Sequence, residues 1–146
     1  MNEKVRILLV EDEQTDAELA LLALQEAGLS GRVRHVWDGQ EALDYLFGEG
    51  PFEGRPGAPG LRLVLLDLNL PKVDGLDVLT RLRADPRTRS IPVVVLTSSM
   101  LRADVEKAYR AGANSLVVKP VNFGDHSQAL QTIGTYWMEI NVAPPE

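Results

Sequence analysis

Four groups of residues in this chain have the types and spacing to do chemistry together. They are the acidic run Glu11-Asp12-Glu13, the pair Asp67 and Asn69, the hydroxyl of Thr97, and Lys119. Each follows a short apolar run: Val5 to Val10, Leu63 to Leu66, Val93 to Leu96, and Leu116 to Val118. Carboxylates crowded into one crevice repel, which calls for a hard divalent cation held by carboxylate and carbonyl oxygens. Magnesium, or manganese in its place, fits that donor set. Lysine adds a compact positive charge and threonine a hydroxyl donor. A site of this kind would accept a phosphoryl group on Asp67, a carboxylate acting as nucleophile. Magnesium, Lys119, Thr97 and backbone N–H groups would then stabilise the charge that spreads over the phosphoryl oxygens. Taken singly, each residue has an ordinary reading: Asp67 or Thr97 as a helix cap, Lys119 as a solvated charge.

Convergence depends on the elements that carry these residues. The run Leu63-Val64-Leu65-Leu66 reads as a strand buried on both faces, with Asp67 at its carboxyl end and Asn69 and Pro71 ending regular pairing. Residues 5–10, 33–37, 92–96 and 115–118 read the same way. Helices are expected over residues 15–27, 39–47, 76–84, 101–111 and 124–140. Gly28 and Gly112 stop two of them, and Asp38 with Glu41 forms a capping signature for another. In the first helix Ala17, Ala20, Leu21 and Leu24 form a core face, while Leu19 and Leu22 form a second stripe, read as a wide core face or a partner patch. In the last helix Leu130, Ile133, Trp137 and Ile140 form a core-facing stripe. Residues 48–60 hold too much Gly and Pro for helix or strand and form a surface loop, and residues 141–146 form a short tail. Strands alternating with helices make a (βα)5 α/β chain with a doubly wound parallel sheet. Such sheets present ligands at the carboxyl ends of their strands, where all four polar groups sit.

The chain has 146 residues, the size of one domain spanning residues 1–146 with its core over about 5–140. A net charge of −6 gives no footprint for nucleic acid or an anionic membrane. The absence of cysteine excludes disulfides, zinc-thiolate sites and thiol catalysis. The first apolar run is too short for a signal peptide or a membrane span, so a cytoplasmic protein is the expectation. His35 and His126 lack ligand spacing and read as surface or half-buried residues.

In order, Val10-Glu11-Asp12-Glu13, Leu66-Asp67-Leu68-Asn69-Leu70-Pro71 with Asp74-Gly75, Val95-Leu96-Thr97-Ser98 and Val118-Lys119-Pro120 closely resemble the receiver domain of two-component response regulators. The Gly/Pro-rich insertion, Thr97-Ser98-Ser99 and Lys119-Pro120-Val121 look most like the stand-alone regulators paired with bacterial phytochromes. The resemblance implies strand order 2-1-3-4-5. It implies that Asp67 takes a phosphoryl group from a phosphohistidine on a sensor histidine kinase, with Thr97 and Lys119 holding the phosphoryl oxygens. Asp12 would bind magnesium directly, Glu11 through water, and Asn69 by its backbone carbonyl. The Lys119–Pro120 bond would be cis, and Ser99 would influence hydrolysis of the aspartyl phosphate. Where the family often carries an aromatic residue three positions before its lysine, this chain has Leu116, which puts an aromatic rotamer switch in doubt.

The resemblance makes the chain a phosphoacceptor rather than an enzyme that turns over outside substrates. Its output would pass through protein contacts, to a downstream protein or a second copy, with Met100, Tyr109, Tyr136 and Met138 as candidate surface groups. Two variants of this reading are a phosphate sink draining a kinase and a degenerate receiver acting as a fixed interaction module. A flavodoxin-like carrier would need a phosphate-cradling loop where Glu11-Asp12-Glu13 would repel phosphate. A phosphatase of the haloacid dehalogenase type would need a second aspartate where Asn69 stands.

Overall fold

A computed structural model describes residues 4–145. Five parallel strands, β1 (Ile7–Val10), β2 (Val33–Val36), β3 (Leu63–Asp67), β4 (Val93–Thr97) and β5 (Ser115–Val118), form one sheet in the order β2-β1-β3-β4-β5. Helices α1 (Gln14–Glu26), α2 (Gly39–Phe47), α3 (Gly75–Ala84), α4 (Arg102–Arg110) and α5 (Phe123–Thr135) connect and cover them. The expected α/β class, strand order and element sequence are all present. No helix among the described residues is long and apolar enough to cross a membrane.

The strands are apolar throughout because both faces of the sheet are covered. Successive side chains alternate between two cores. Leu8, Val10, Val64, Leu66, Val93 and Val95 pack against α2, α3 and α4 through Ala42, Leu46, Val78, Leu79, Leu82 and Ala108. Ile7, Leu9, Leu63, Leu65, Val94 and Leu96 pack against α1 and α5 through Ala20, Ala23, Leu24 and Leu130.

Local signals place the helices. Asp38 Oδ1 accepts the N–H of Glu41 at 2.7 Å, the cap expected for α2. Gly48 ends that helix at φ 70°, a left-handed conformation that favours glycine. The 48–60 loop is ordered: it makes a short 3₁₀ turn at Gly50–Phe52, returns an N–H from Gly57 to Tyr45 O at 2.7 Å, and packs Phe52 edge-on against Tyr45.

Three expectations need correcting. The last helix changes register at Tyr136–Ile140, where a π-helical turn closes with Asn141 N donating to Tyr136 O at 2.7 Å. The wider turn rotates the stripe, so Met138 is buried at 6% exposure and Ile140 stands out at 65%. Met138 is therefore a core residue and not a surface contact, whereas Met100, Tyr109 and Tyr136 are exposed. On α1 the second stripe is not core throughout: Leu19 is half-buried, but Leu22 is 46% exposed. The Lys119–Pro120 peptide is trans, the isomer ordinarily preferred before proline. The cis form had rested on the family resemblance alone.

Candidate functional site

The register of the sheet brings the predicted residues together. Val10 pairs with Leu66 across β1 and β3, so Glu11 and Asp67 stand side by side one residue further on. Thr97 pairs with Val118 across β4 and β5, which sets Lys119 next to them, and Lys119 N donates to Thr97 O at 2.7 Å.

Lys119 Nζ is the centre of the cluster. It lies 2.8 Å from Asp67 Oδ2, 2.7 Å from Glu11 Oε1 and 3.0 Å from Asp16 Oδ2. Three acceptors match the three protons of an ammonium. Asp16 was not among the predicted site residues. It sits in the first turn of α1, where an acidic residue is ordinary, so the sequence carried no signal that set it apart. Glu13 caps the same turn by accepting the N–H of Asp16 at 2.6 Å, which holds Asp16 in place.

Asp67 uses both carboxylate oxygens: Oδ2 on Lys119, and Oδ1 accepting the N–H of Asn69 at 2.9 Å. Glu11 is buried at 2% exposure, and its Oε2 accepts the N–H of Glu13. Its backbone is held from β2 on two sides. Glu11 N donates to Val36 O at 3.1 Å, and His35 Nε2 lies 2.9 Å from Glu11 O. His35 is half-buried as expected, while His126 is buried at the start of α5.

Asp12 is exposed at the mouth of the site. Glu11, Asp12 and Asp67 each bring one carboxylate oxygen to within 4.8 Å of the others. Hard oxygen donors at this separation, with negative charge in excess of the single lysine, suit a divalent cation of the magnesium or manganese type. The residues present therefore fit the metal anticipated from their chemistry.

Thr97 is 1% exposed, and its Oγ1 accepts the N–H of Ser99 at 3.1 Å. Among the described residues its hydroxyl is not bonded to Asp67 or Lys119, so its proton is free to donate to a group arriving between them. Ser99 Oγ in turn donates to Asp104 at 2.6 Å and accepts the N–H of Leu101, tying the end of β4 to the start of α4.

The electrostatics follow from burial and charge. Burial pushes the Glu11 carboxyl up to about 7; Asp67 adds to the rise and Lys119 opposes it. Burial alone would lower Lys119, but hydrogen bonds and charge from Asp67 and Glu11 outweigh it and hold the ammonium above its ordinary value. The lysine is thus cationic at any physiological pH. The approach of α3 is equally constrained. A Cβ on Gly75 would meet the carbonyl oxygen of Asp67 at 2.5 Å, so glycine is required where the helix begins.

Comparison with known proteins agrees with this geometry. A model of the response regulator receiver domain matches residues 7–131. The chain is 43% identical over 139 residues to the "Probable methanogenesis regulatory protein FilR2" of Methanothrix harundinacea, covering 94% of this chain and 86% of that protein. It is 36% identical over 138 residues to response regulator Rcp1 of Synechocystis, covering 94% and 92%. The Mn²⁺-bound crystal structure of Rcp1 superposes with a TM-score of 0.87 over 98% of this chain and all of that one. The bacteriophytochrome response regulator RtBRR is 48% identical, with a TM-score of 0.75 over 98% of this chain and 86% of that one.

Proposed function

The chain belongs to the response regulator receiver family, and we propose that within it Asp67 is the phosphoacceptor. The observation that carries this reading is the Lys119 ammonium 2.8 Å from Asp67 Oδ2 at the carboxyl end of the central strand. A carboxylate placed so is oriented by its partners at the end of a strand that opens on a crevice, which suits a nucleophile.

Receiver domains take their phosphoryl group from sensor histidine kinases. An Asp67 oxygen would attack the phosphorus, forming a P–O bond as the P–N bond to the kinase imidazole breaks; the imidazole leaves with the bonding pair and is reprotonated. Lys119 then shifts from the carboxylate to a phosphoryl oxygen, and the Thr97 hydroxyl donates to another. Asn69 N–H keeps the carboxylate oriented from below. Asp12, Asp67 and the Asn69 carbonyl would hold a divalent cation, with Glu11 behind them, and that cation supplies charge neutralisation at the phosphoryl oxygens. The Mn²⁺ in Rcp1 supports that assignment. The chain is thereby a phosphoacceptor and not a catalyst of turnover.

For the kinase we favour a bacteriophytochrome, because likeness to RtBRR at 48% exceeds that to FilR2 at 43%. Output through protein contacts is supported by Met100, Leu101, Val121 and Phe123, exposed around the mouth of the site.

The experiment is phosphorylation by acetyl phosphate with and without magnesium. Wild type should gain a phosphate that is labile to both acid and base, as an acyl phosphate is, and that depends on magnesium. Asp67→Asn should gain none while keeping its circular dichroism spectrum. Phosphate retained by that variant would overturn the assignment.

A further inference from the structure

The loop between β3 and α3, residues 68–74, carries Asn69, and its middle rests on the start of α2. Within it Lys72 stands at φ 68°, the one residue other than glycine in the left-handed region among the described residues. A lysine there is strained, because its Cβ crowds the backbone, and it persists only where its surroundings hold it. Asp38 Oδ2 lies 3.4 Å from Lys72 Nζ. The same buried carboxylate caps α2, with Oδ1 accepting the N–H of Glu41. Gly39, the first residue of α2, donates its N–H to Pro71 O at 3.4 Å. A Cβ on Gly39 would lie 1.8 Å from Val73 O, so the two backbones touch. Pro71, Lys72 and Val73 therefore each meet Asp38 or Gly39.

The two ends of the loop are fixed by the site itself. Asn69 N donates to Asp67 Oδ1 at 2.9 Å, and Gly75 N donates to Leu68 O at 3.1 Å. With both ends held, a change of backbone angle at Lys72 has to be absorbed by the peptide planes between them. The Asn69 carbonyl lies on that path, two residues before Pro71. Magnesium demands near-ideal octahedral geometry, so the direction of a carbonyl ligand matters to its affinity.

We propose that Asp38 is a positioning residue of the phosphoacceptor site: it holds Lys72 in the left-handed conformation, and this aims the Asn69 carbonyl at the cation. The proposal rests on the reading of Asp12, Asp67 and Asn69 as the metal-binding oxygens. It gives the junction of β2 and α2 a part in the chemistry beyond capping a helix. The two roles are separable. Asparagine caps a helix as well as aspartate does, but brings no charge to Lys72. Glycine adopts a φ near 70° without strain and needs no clamp.

Calorimetric titration of the full chain with magnesium chloride tests this. Asp38→Asn and Lys72→Gln should each raise the magnesium dissociation constant about threefold, the scale of one ion pair with an exposed partner. Charge alone predicts the opposite for Lys72→Gln, because that change removes a positive group from the surroundings of a cation. Lys72→Gly should bind as the wild type does, and so should Asp38→Asn combined with Lys72→Gly. Asp38→Asn combined with Lys72→Gln should bind as weakly as either single variant, since one clamp is lost in all three. Unchanged binding in Asp38→Asn, tighter binding in Lys72→Gln, or a glycine at position 72 that fails to restore affinity would overturn the proposal. Absence of magnesium binding in the wild type would overturn the metal-site reading, and this proposal with it.

Discussion

Asp16 Oδ2 lies 3.0 Å from Lys119 Nζ, so a helix that follows the first strand reaches the lysine that follows the last. The contact makes Asp16 a competitor of Asp67 for one ammonium, and it adds negative field to the mouth where a cation would sit.

Asp16→Asn should therefore leave the fold intact, because the residue is partly exposed, and weaken magnesium binding through the loss of one nearby charge. At a separation of about 6 Å in water-like dielectric, that charge acting on a divalent cation is worth about 1.4 kcal/mol, or about a tenfold rise in the magnesium dissociation constant. Calorimetric titration of the two proteins measures it. An unchanged constant would mean that Asp16 acts on Lys119 alone.

Lys119→Ala removes the partner of two buried carboxylates, Glu11 and Asp67. Breaking a buried ion pair on one side costs about 3 kcal/mol, because the remaining charges have no compensation. Urea unfolding in metal-free buffer should show that loss at pH 8. At pH 6 the loss should be smaller, since Glu11, already raised to about 7 by burial, then takes up a proton. Equal loss at both values would mean that Glu11 is not the group left uncompensated.

Gly75→Ala tests the close approach of α3. The added Cβ would lie 2.5 Å from Asp67 O and 2.7 Å from Leu68 Cα, both backbone atoms that cannot rotate away. Relief requires α3 to retreat with the loop that carries Asn69, at a cost of about 2 kcal/mol by analogy with overpacking. Phosphorylation by acetyl phosphate should slow several-fold, because the Asn69 N–H no longer orients Asp67. Denaturant unfolding and the phosphorylation time course together check this, and full-rate phosphorylation would show that the loop tolerates the shift.

Most of the site was legible because its residues follow apolar runs whose ends a parallel sheet must align. Glu11, Asp67, Thr97 and Lys119 each stand at a strand terminus, and the register does the rest. Asp16 was not, because its partner is 103 residues away and its own surroundings read as an ordinary acidic first turn. The exchange of Met138 for Ile140 in the core was hidden for another reason. A single π-helical turn shifts the phase of a helix without a residue signature, so regular periodicity carried the wrong residue inward.

His126 supplies a prediction in pH. It is buried at the start of α5, and burial holds its imidazole below the ordinary 6.5; the nearby Asp16 raises it and Lys119 lowers it. In the unfolded chain the imidazole takes up a proton near 6.5, and in the folded protein only at lower pH. The unfolded state therefore binds more protons between these values, and stability from this residue, complete above 6.5, is lost as pH falls through the folded value. Glu11 pulls the other way over a similar window: its carboxyl rises from 4.5 to about 7 on folding, so its contribution favours the folded state at low pH. The two slopes oppose each other in the wild type, and a single stability curve would not separate them. Subtraction does. His126→Gln keeps Glu11 and removes the imidazole, so the wild-type minus variant stability should be flat above pH 7 and fall as pH drops below 6.5. Urea unfolding across pH 5 to 8, in metal-free buffer, gives that difference curve. A difference that stays flat to pH 5 would mean that the His126 ring is solvated in the folded protein.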